Sequence, residues 1–243
     1  IPTRIFKDPK DASKSVAEEI ANLIRERQKQ GRKCVLGLAT GSSPKTVYAE
    51  LIRMHKEEQL SFQNVISFNL DEYYPMEENA VQSYWRFMKE QLFDHVDIDA
   101  ANIYIPNGEW PKEDIKKYCA DYEAKIEALG GVDVQILGIG NNGHIGFNEP
   151  GSSRFSRTRL ITLENSTRIA NSFEFANISQ VPRLAVTMGI DTIMKAKKVY
   201  LMAWGPMKAP VLQKAVEGDV TEQIPASLLQ QHLDTVFVVD EAA

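Results

Sequence analysis

Cys34-Val35-Leu36-Gly37-Leu38-Ala39-Thr40-Gly41-Ser42-Ser43-Pro44 is a short apolar run broken by a turn rich in hydroxyls and glycine. Val47, Tyr48, Leu51 and Ile52 then recur at helical spacing. The apolar run is too short for a helix and reads as a buried strand, whereas the later spacing builds one helix face. This strand–turn–helix unit repeats outward. Upstream, Val16, Ile20, Leu23 and Ile24 make a helical stripe between a capping Asp11 and a terminating Gly31. Downstream, Val65-Ile66-Ser67-Phe68 reads as a strand, followed by a helix around Trp85, Met88 and Leu92. Further apolar strands fall at 132–137, 199–202 and 236–239. Apolar strands alternating with helices imply a mainly parallel sheet covered on both faces. The expected fold is one doubly wound, Rossmann-like α/β domain over residues 1–243.

Hydrophobic residues make up 43% of the 243 residues and charged ones 25%, enough to bury a core, which excludes a disordered chain. Lys+Arg 28 against Asp+Glu 33 gives a net charge of −5, which argues against a nucleic-acid partner. A small anion remains compatible, because a helix N-terminus and one lysine can hold it locally. No apolar run reaches the roughly 18 residues of a membrane span, so no membrane partner is expected. Cys34 and Cys119 lie far apart with no CxxC and read as free thiols of a reducing compartment, the cytoplasm by default. Ile1-Pro2-Thr3-Arg4 has neither an initiator Met nor a signal-peptide core, so a chain trimmed from a longer polypeptide is expected.

Ligands of open parallel sheets sit beyond the carboxyl ends of the strands. The backbone N–H groups and hydroxyls of Thr40, Gly41, Ser42 and Ser43 suit a phosphate, or form an ordinary βα turn, with Pro44 as the first helical residue. No Walker lysine follows at the required offset. Gly138-Ile139-Gly140-Asn141-Asn142-Gly143 formally matches a dinucleotide fingerprint. The segment after it, His144-Ile145-Gly146-Phe147-Asn148-Glu149-Pro150-Gly151, reads as a loop rather than the required helix, which weighs against a nicotinamide or flavin.

On that loop His144 and Glu149 can approach as an imidazole steered by a carboxylate, or serve as plain turn residues. His55, His95 and His232 belong to no HExxH or HxH, so no metal site is expected. Asp71 closes the strand begun at Val65. It is either a strand terminator or a desolvated base for a carbon-bound proton. Lys208 follows a strand and a Gly-Pro turn, and reads as an anion ligand or a surface lysine. Neither a GxSxG elbow nor a cysteine beside a base supports a covalent nucleophile.

Taken together, Leu38-Ala39-Thr40-Gly41-Ser42-Ser43-Pro44, Ser67-Phe68-Asn69-Leu70-Asp71-Glu72-Tyr73 and Gly140 through Pro150 resemble the glucosamine-6-phosphate deaminase family. Ser156-Arg157-Thr158-Arg159, Thr167-Arg168-Ile169-Ala170-Asn171-Ser172 and Ala215-Val216-Glu217-Gly218 continue the resemblance. It implies conversion of glucosamine 6-phosphate and water to fructose 6-phosphate and ammonia without a cofactor. His144 would open the pyranose ring, positioned by Asn142 and Glu149. Asp71 would move the C2 proton to C1 through a cis-enolamine. Thr40, Gly41, Ser42, Ser43 and Lys208 would bind the phosphate.

The chain departs from the family pattern at three places. Asn142 stands where many members carry Asp, so it supplies a hydrogen bond but no charge. Phe173-Glu174-Phe175 follows Asn171-Ser172, where the family usually has a phosphate-binding Arg; losing that contact costs about 1.5–3 kcal/mol. Glu174 would add to the loss if it faced the site. Ile161 replaces the effector lysine of regulated members, so activation by N-acetylglucosamine 6-phosphate is not expected. The partner is a small amino-sugar phosphate, and a homo-oligomer is compatible. Competing readings are a sugar-phosphate sensor, which retention of Asp71, His144 and Glu149 opposes, and a 6-phosphogluconolactonase-like hydrolase.

Overall fold

A computed structural model describes residues 1–243. Seven parallel strands form the central sheet in the order β1 (Thr3–Phe6), β10 (Thr235–Asp240), β9 (Lys198–Ala203), β6 (Val134–Leu137), β2 (Cys34–Leu38), β3 (Val65–Asn69) and β5 (Ile103–Tyr104). Every residue of β2, β3, β6 and β10 is buried, as a sheet covered on both faces requires. The covering helices are α1 (Pro9–Lys29), α2 (Ser42–Glu58), α3 (Tyr84–Gln91), α4 (Ile115–Ala128), α5 (Asn165–Asn171), α6 (Ile190–Met194) and α7 (Ala209–Val216). The α1 stripe of Val16, Ile20 and Ile24 is wholly buried, but Asp8 rather than Asp11 caps the helix, its carboxylate accepting from the Asp11 N–H at 2.9 Å because the helix already starts at Pro9. The doubly wound α/β reading therefore holds. No helix is long and apolar enough to cross a membrane.

Three further features differ from the sequence reading. The turn after β2 becomes helical at Ser42, so Pro44 is the third helical residue rather than the first. Proline is tolerated there because the first-turn N–H groups have no intrahelical partner. Second, a separate antiparallel sheet exists: β4 (Asp71–Tyr74), β8 (Leu184–Thr187) and β7 (Arg159–Thr162), in that order.

Third, Asp71 does not end the strand begun at Val65. That strand stops at Asn69, Leu70 bonds to Leu38 and Met188 on either side, and Asp71 opens β4. The chain thus steps from one sheet to the other directly beneath the strand ends. The carboxyl of Asp71 remains at the C-terminal edge of the parallel sheet, but an antiparallel strand holds it.

Candidate active site

The carboxyl ends of β2, β3, β6 and β9 converge on a cleft of about 920 Å³. Its lining includes Thr40, Gly41, Ser42 and Ser43 after β2, Asp71 after β3, Asn142 and His144 after β6, and Lys208 after β9. Eight of the nine residues singled out in the sequence therefore share one cavity. The ninth, Glu149, stands one step behind the wall, buried against Asn142.

Between Thr40 and Ser43, Gly41 takes φ 100°, a conformation that side chains disfavour, and turns the chain into α2 without a side-chain cap. The first N–H groups of α2 have no intrahelical partner, and Gly41 through Lys45 line the cleft. Lys208 lies on a short turn before α7. Its ammonium donates to the Ile139 carbonyl at 2.7 Å and to Asn141 Oδ1 at 3.1 Å. An ammonium has three N–H donors, so one is left for a ligand. Burial lowers its pKa from the ordinary lysine value.

The loop from Gly138 to Ser156 contains turns and an isolated bridge between Ile145 and Asn148; no helix opens at Gly143. The dinucleotide arrangement is therefore not formed. Asn148 pins the loop instead. Its amide donates to the Ile145 and Met188 carbonyls at 2.9 and 2.8 Å, and its oxygen accepts from Arg159 at 2.9 Å. Gly146, at φ 58°, presses against the sheet edge: a Cβ there would lie 3.0 Å from Thr187 Oγ1 and 3.8 Å from Asp71 Oδ2. This close approach brings the histidine loop to the carboxylate.

A relay runs through the loop. Asn142 Oδ1 lies 2.7 Å from His144 Nδ1 and also accepts the His144 backbone N–H at 3.1 Å. The Asn142 amide in turn donates to Glu149 Oε2 at 2.9 Å, and that oxygen lies 3.6 Å from His144 Nδ1. Burial alone would raise the Glu149 carboxyl. The nearby imidazole of His144 and the donated Asn142 amide outweigh it and hold the group below its ordinary value. Glu149 is thus an anion that steadies the imidazole through an amide.

Asp71 has the opposite environment. Burial, helped by the neighbouring charge of Glu72, pushes its carboxyl up to about 8, and no hydrogen bond offsets this. A desolvated carboxylate with free lone pairs can take a proton from a carbon acid in the cleft. Glu72 itself went unnoticed in the sequence. Its carboxylate accepts from the N–H groups of Tyr73 at 2.9 Å, Tyr84 at 2.9 Å and Trp85 at 3.1 Å, tying β4 to the start of α3. Burial pushes Glu72 up to about 7 against those three bonds. Glu174 does line the cleft, as does Phe173, and no arginine does. Desolvation raises the Glu174 carboxyl while Lys45 pulls it back.

The family model described as glucosamine-6-phosphate isomerases/6-phosphogluconolactonase matches residues 7–238. The chain belongs to this family. A glucosamine-6-phosphate deaminase-like protein of Bacteroides thetaiotaomicron is 51% identical over 243 residues, all of this chain, which spans 37% of that relative's length. A glucosamine-6-phosphate deaminase of Clostridioides difficile is 46% identical over 239 residues, 98% of this chain and 94% of the relative. Among solved structures, one described as a monomeric glucosamine-6-phosphate deaminase superposes with a TM-score of 0.94 at 41% identity, covering 99% of this chain and 98% of the other. A 6-phosphogluconolactonase of Thermotoga maritima shares the fold with a TM-score of 0.77 at 22% identity, covering 99% of each chain.

Proposed function

We propose that residues 1–243 act as one sugar-phosphate domain that deaminates glucosamine 6-phosphate, giving fructose 6-phosphate and ammonia. The observation that carries this reading is the pairing of two unlike groups in one cleft. Asp71 is a buried carboxyl without a hydrogen-bond partner, and His144 is an imidazole backed by Asn142 and the anionic Glu149. An aldose–ketose isomerisation needs both, one to open the ring and one to carry the proton between carbons.

With the phosphate on the Thr40–Ser43 cradle and Lys208, His144 takes the O1 proton and returns one to O5 as the ring C–O bond breaks. Asp71 then removes the C2 proton while the substrate's ammonium gives one to O1, forming the cis-enolamine, and Asp71 delivers its proton to C1, leaving an iminium at C2. Water adds to that iminium, the C–N bond breaks, and ammonia departs with the ketone in place. Binding the phosphate at a distance from C1 and C2 fixes both carbons against the two groups, which is how remote binding lowers the barrier.

Every residue to which this reading gives a role belongs to one copy of the chain. A phosphorylated metabolite and two buried free thiols fit a cytoplasmic enzyme. The test is ammonia release from glucosamine 6-phosphate, with unphosphorylated glucosamine alongside. Turnover of the phosphate ester alone supports the reading. Hydrolysis of 6-phosphogluconolactone without ammonia release would replace it with the lactonase alternative.

A further inference from the structure

Two lysines line the cleft, Lys45 and Lys208, and only Lys208 has been given a task. A sugar phosphate brings close to two negative charges into a cavity that already holds Asp71 and Glu174. Lys208 also spends two of its three donors on Ile139 and Asn141. One ammonium with one free N–H is a poor match for a dianion with three acceptor oxygens.

Lys45 is placed to supply the rest. It is the fourth residue of α2, directly after the cradle, and its ammonium sits 5.5 Å from the centroid of Phe87, another cleft residue. An aromatic face attracts a cation, so this contact holds the exposed side chain over the cleft mouth. No salt bridge claims the ammonium, although it lies near enough to Glu174 for its charge to act there. The first turn of α2 contains no acidic residue, and a lysine in that turn opposes the helix dipole. A bound phosphate reverses the sign of that cost, because the lysine and the dipole then attract the same anion.

We propose that Lys45 is the second cation on the substrate phosphate, acting with Lys208, and that Glu174 is a carboxylate that competes for it. This rests on the sugar-phosphate reading above. It also accounts for a cleft that manages without an arginine: the missing charge enters from α2 rather than from the segment after α5.

The test compares the full chain with its K45M, K45R and E174Q variants. Ammonia release from glucosamine 6-phosphate gives kcat and KM, and calorimetry gives the affinity for fructose 6-phosphate and inorganic phosphate. K45M is expected to raise KM and weaken both ligands by roughly tenfold or more, with kcat changed less than about threefold. K45R should recover most of the loss, and E174Q should tighten phosphate binding. Unchanged KM and phosphate affinity in K45M would overturn the assignment, as would a kcat loss with KM intact. If the wild type binds fructose 6-phosphate but releases no ammonia, the deaminase reading fails alone, and the binding series still decides the role of Lys45.

Discussion

Asn142 Oδ1 lies 2.7 Å from His144 Nδ1 and also accepts the His144 backbone N–H, so the amide can face only one way. An amide oxygen accepts and never donates, so Nδ1 carries a proton in this contact. Nε2 is therefore the ring nitrogen left to exchange a proton with a ligand. Glu149, reached through the other end of the same amide, supplies the negative charge that favours the ring once it has taken a proton.

This relay gives the first prediction. Asn142→Ala should lower kcat on glucosamine 6-phosphate by about tenfold to a hundredfold with little change in KM, since it removes orientation rather than binding. His144→Gln should lose more, and lose it unequally: the cyclic substrate should suffer far more than substrate already in the open-chain form. Equal losses on the two forms would remove His144 from ring opening.

Gly140 provides an independent check on the same ring. A methyl group built on its backbone falls inside the space of the His144 imidazole. The ring can swing away without disturbing the core, so Gly140→Ala should fold normally yet lose about a hundredfold in kcat, the usual cost of ångström-scale misplacement. Wild-type activity in Gly140→Ala would mean that His144 tolerates a different orientation and that the relay geometry is not required.

Much of this architecture was legible in the sequence, for identifiable reasons. The parallel strands Cys34–Leu38 and Val65–Asn69 are uniformly buried and mostly apolar because both faces are covered, and the segments after them carry the glycines and hydroxyls that strand ends use. The antiparallel sheet was not legible. Its strands have four residues each, and Asp71-Glu72-Tyr73-Tyr74 and Arg159-Leu160-Ile161-Thr162 show no clean alternation. They pair with residues more than twenty positions away, so no local pattern records them. Glu72 escaped notice for the same reason, since its amide partner Tyr84 lies 12 positions along the chain. Nothing local in the sequence sets Lys45 apart from other helix lysines, because Phe87 meets it only through the fold.

Glu72 should matter for stability and positioning at once. Glu72→Ala leaves the N–H groups of Tyr73, Tyr84 and Trp85 without their acceptor at a buried helix start. The expected cost is about 2–4 kcal/mol, read by chemical denaturation. Glu72→Gln keeps one acceptor oxygen and should lose less. A Glu72→Ala protein as stable as the wild type would show that water replaces the carboxylate cap without penalty.

Asp71 should show function set against stability. Its folded carboxyl is pushed from the ordinary 3.8 to about 8 by burial, so the folded state holds the proton more tightly than the unfolded chain. The sign follows directly. The favourable contribution is complete below the unfolded value and is lost as pH rises towards about 8. Asparagine has the shape of the protonated acid and no proton to lose. Asp71→Asn should therefore raise Tm relative to wild type, by a margin that grows between about pH 5 and pH 8. The same variant should abolish exchange of the C2 proton with solvent while still binding sugar phosphate. In the wild type, kcat/KM should climb with pH through the neutral range, because only the ionised carboxylate can take the proton. Retained C2 exchange in Asp71→Asn would remove it from the proton transfer, and a Tm margin independent of pH would show that the buried carboxyl does not titrate there.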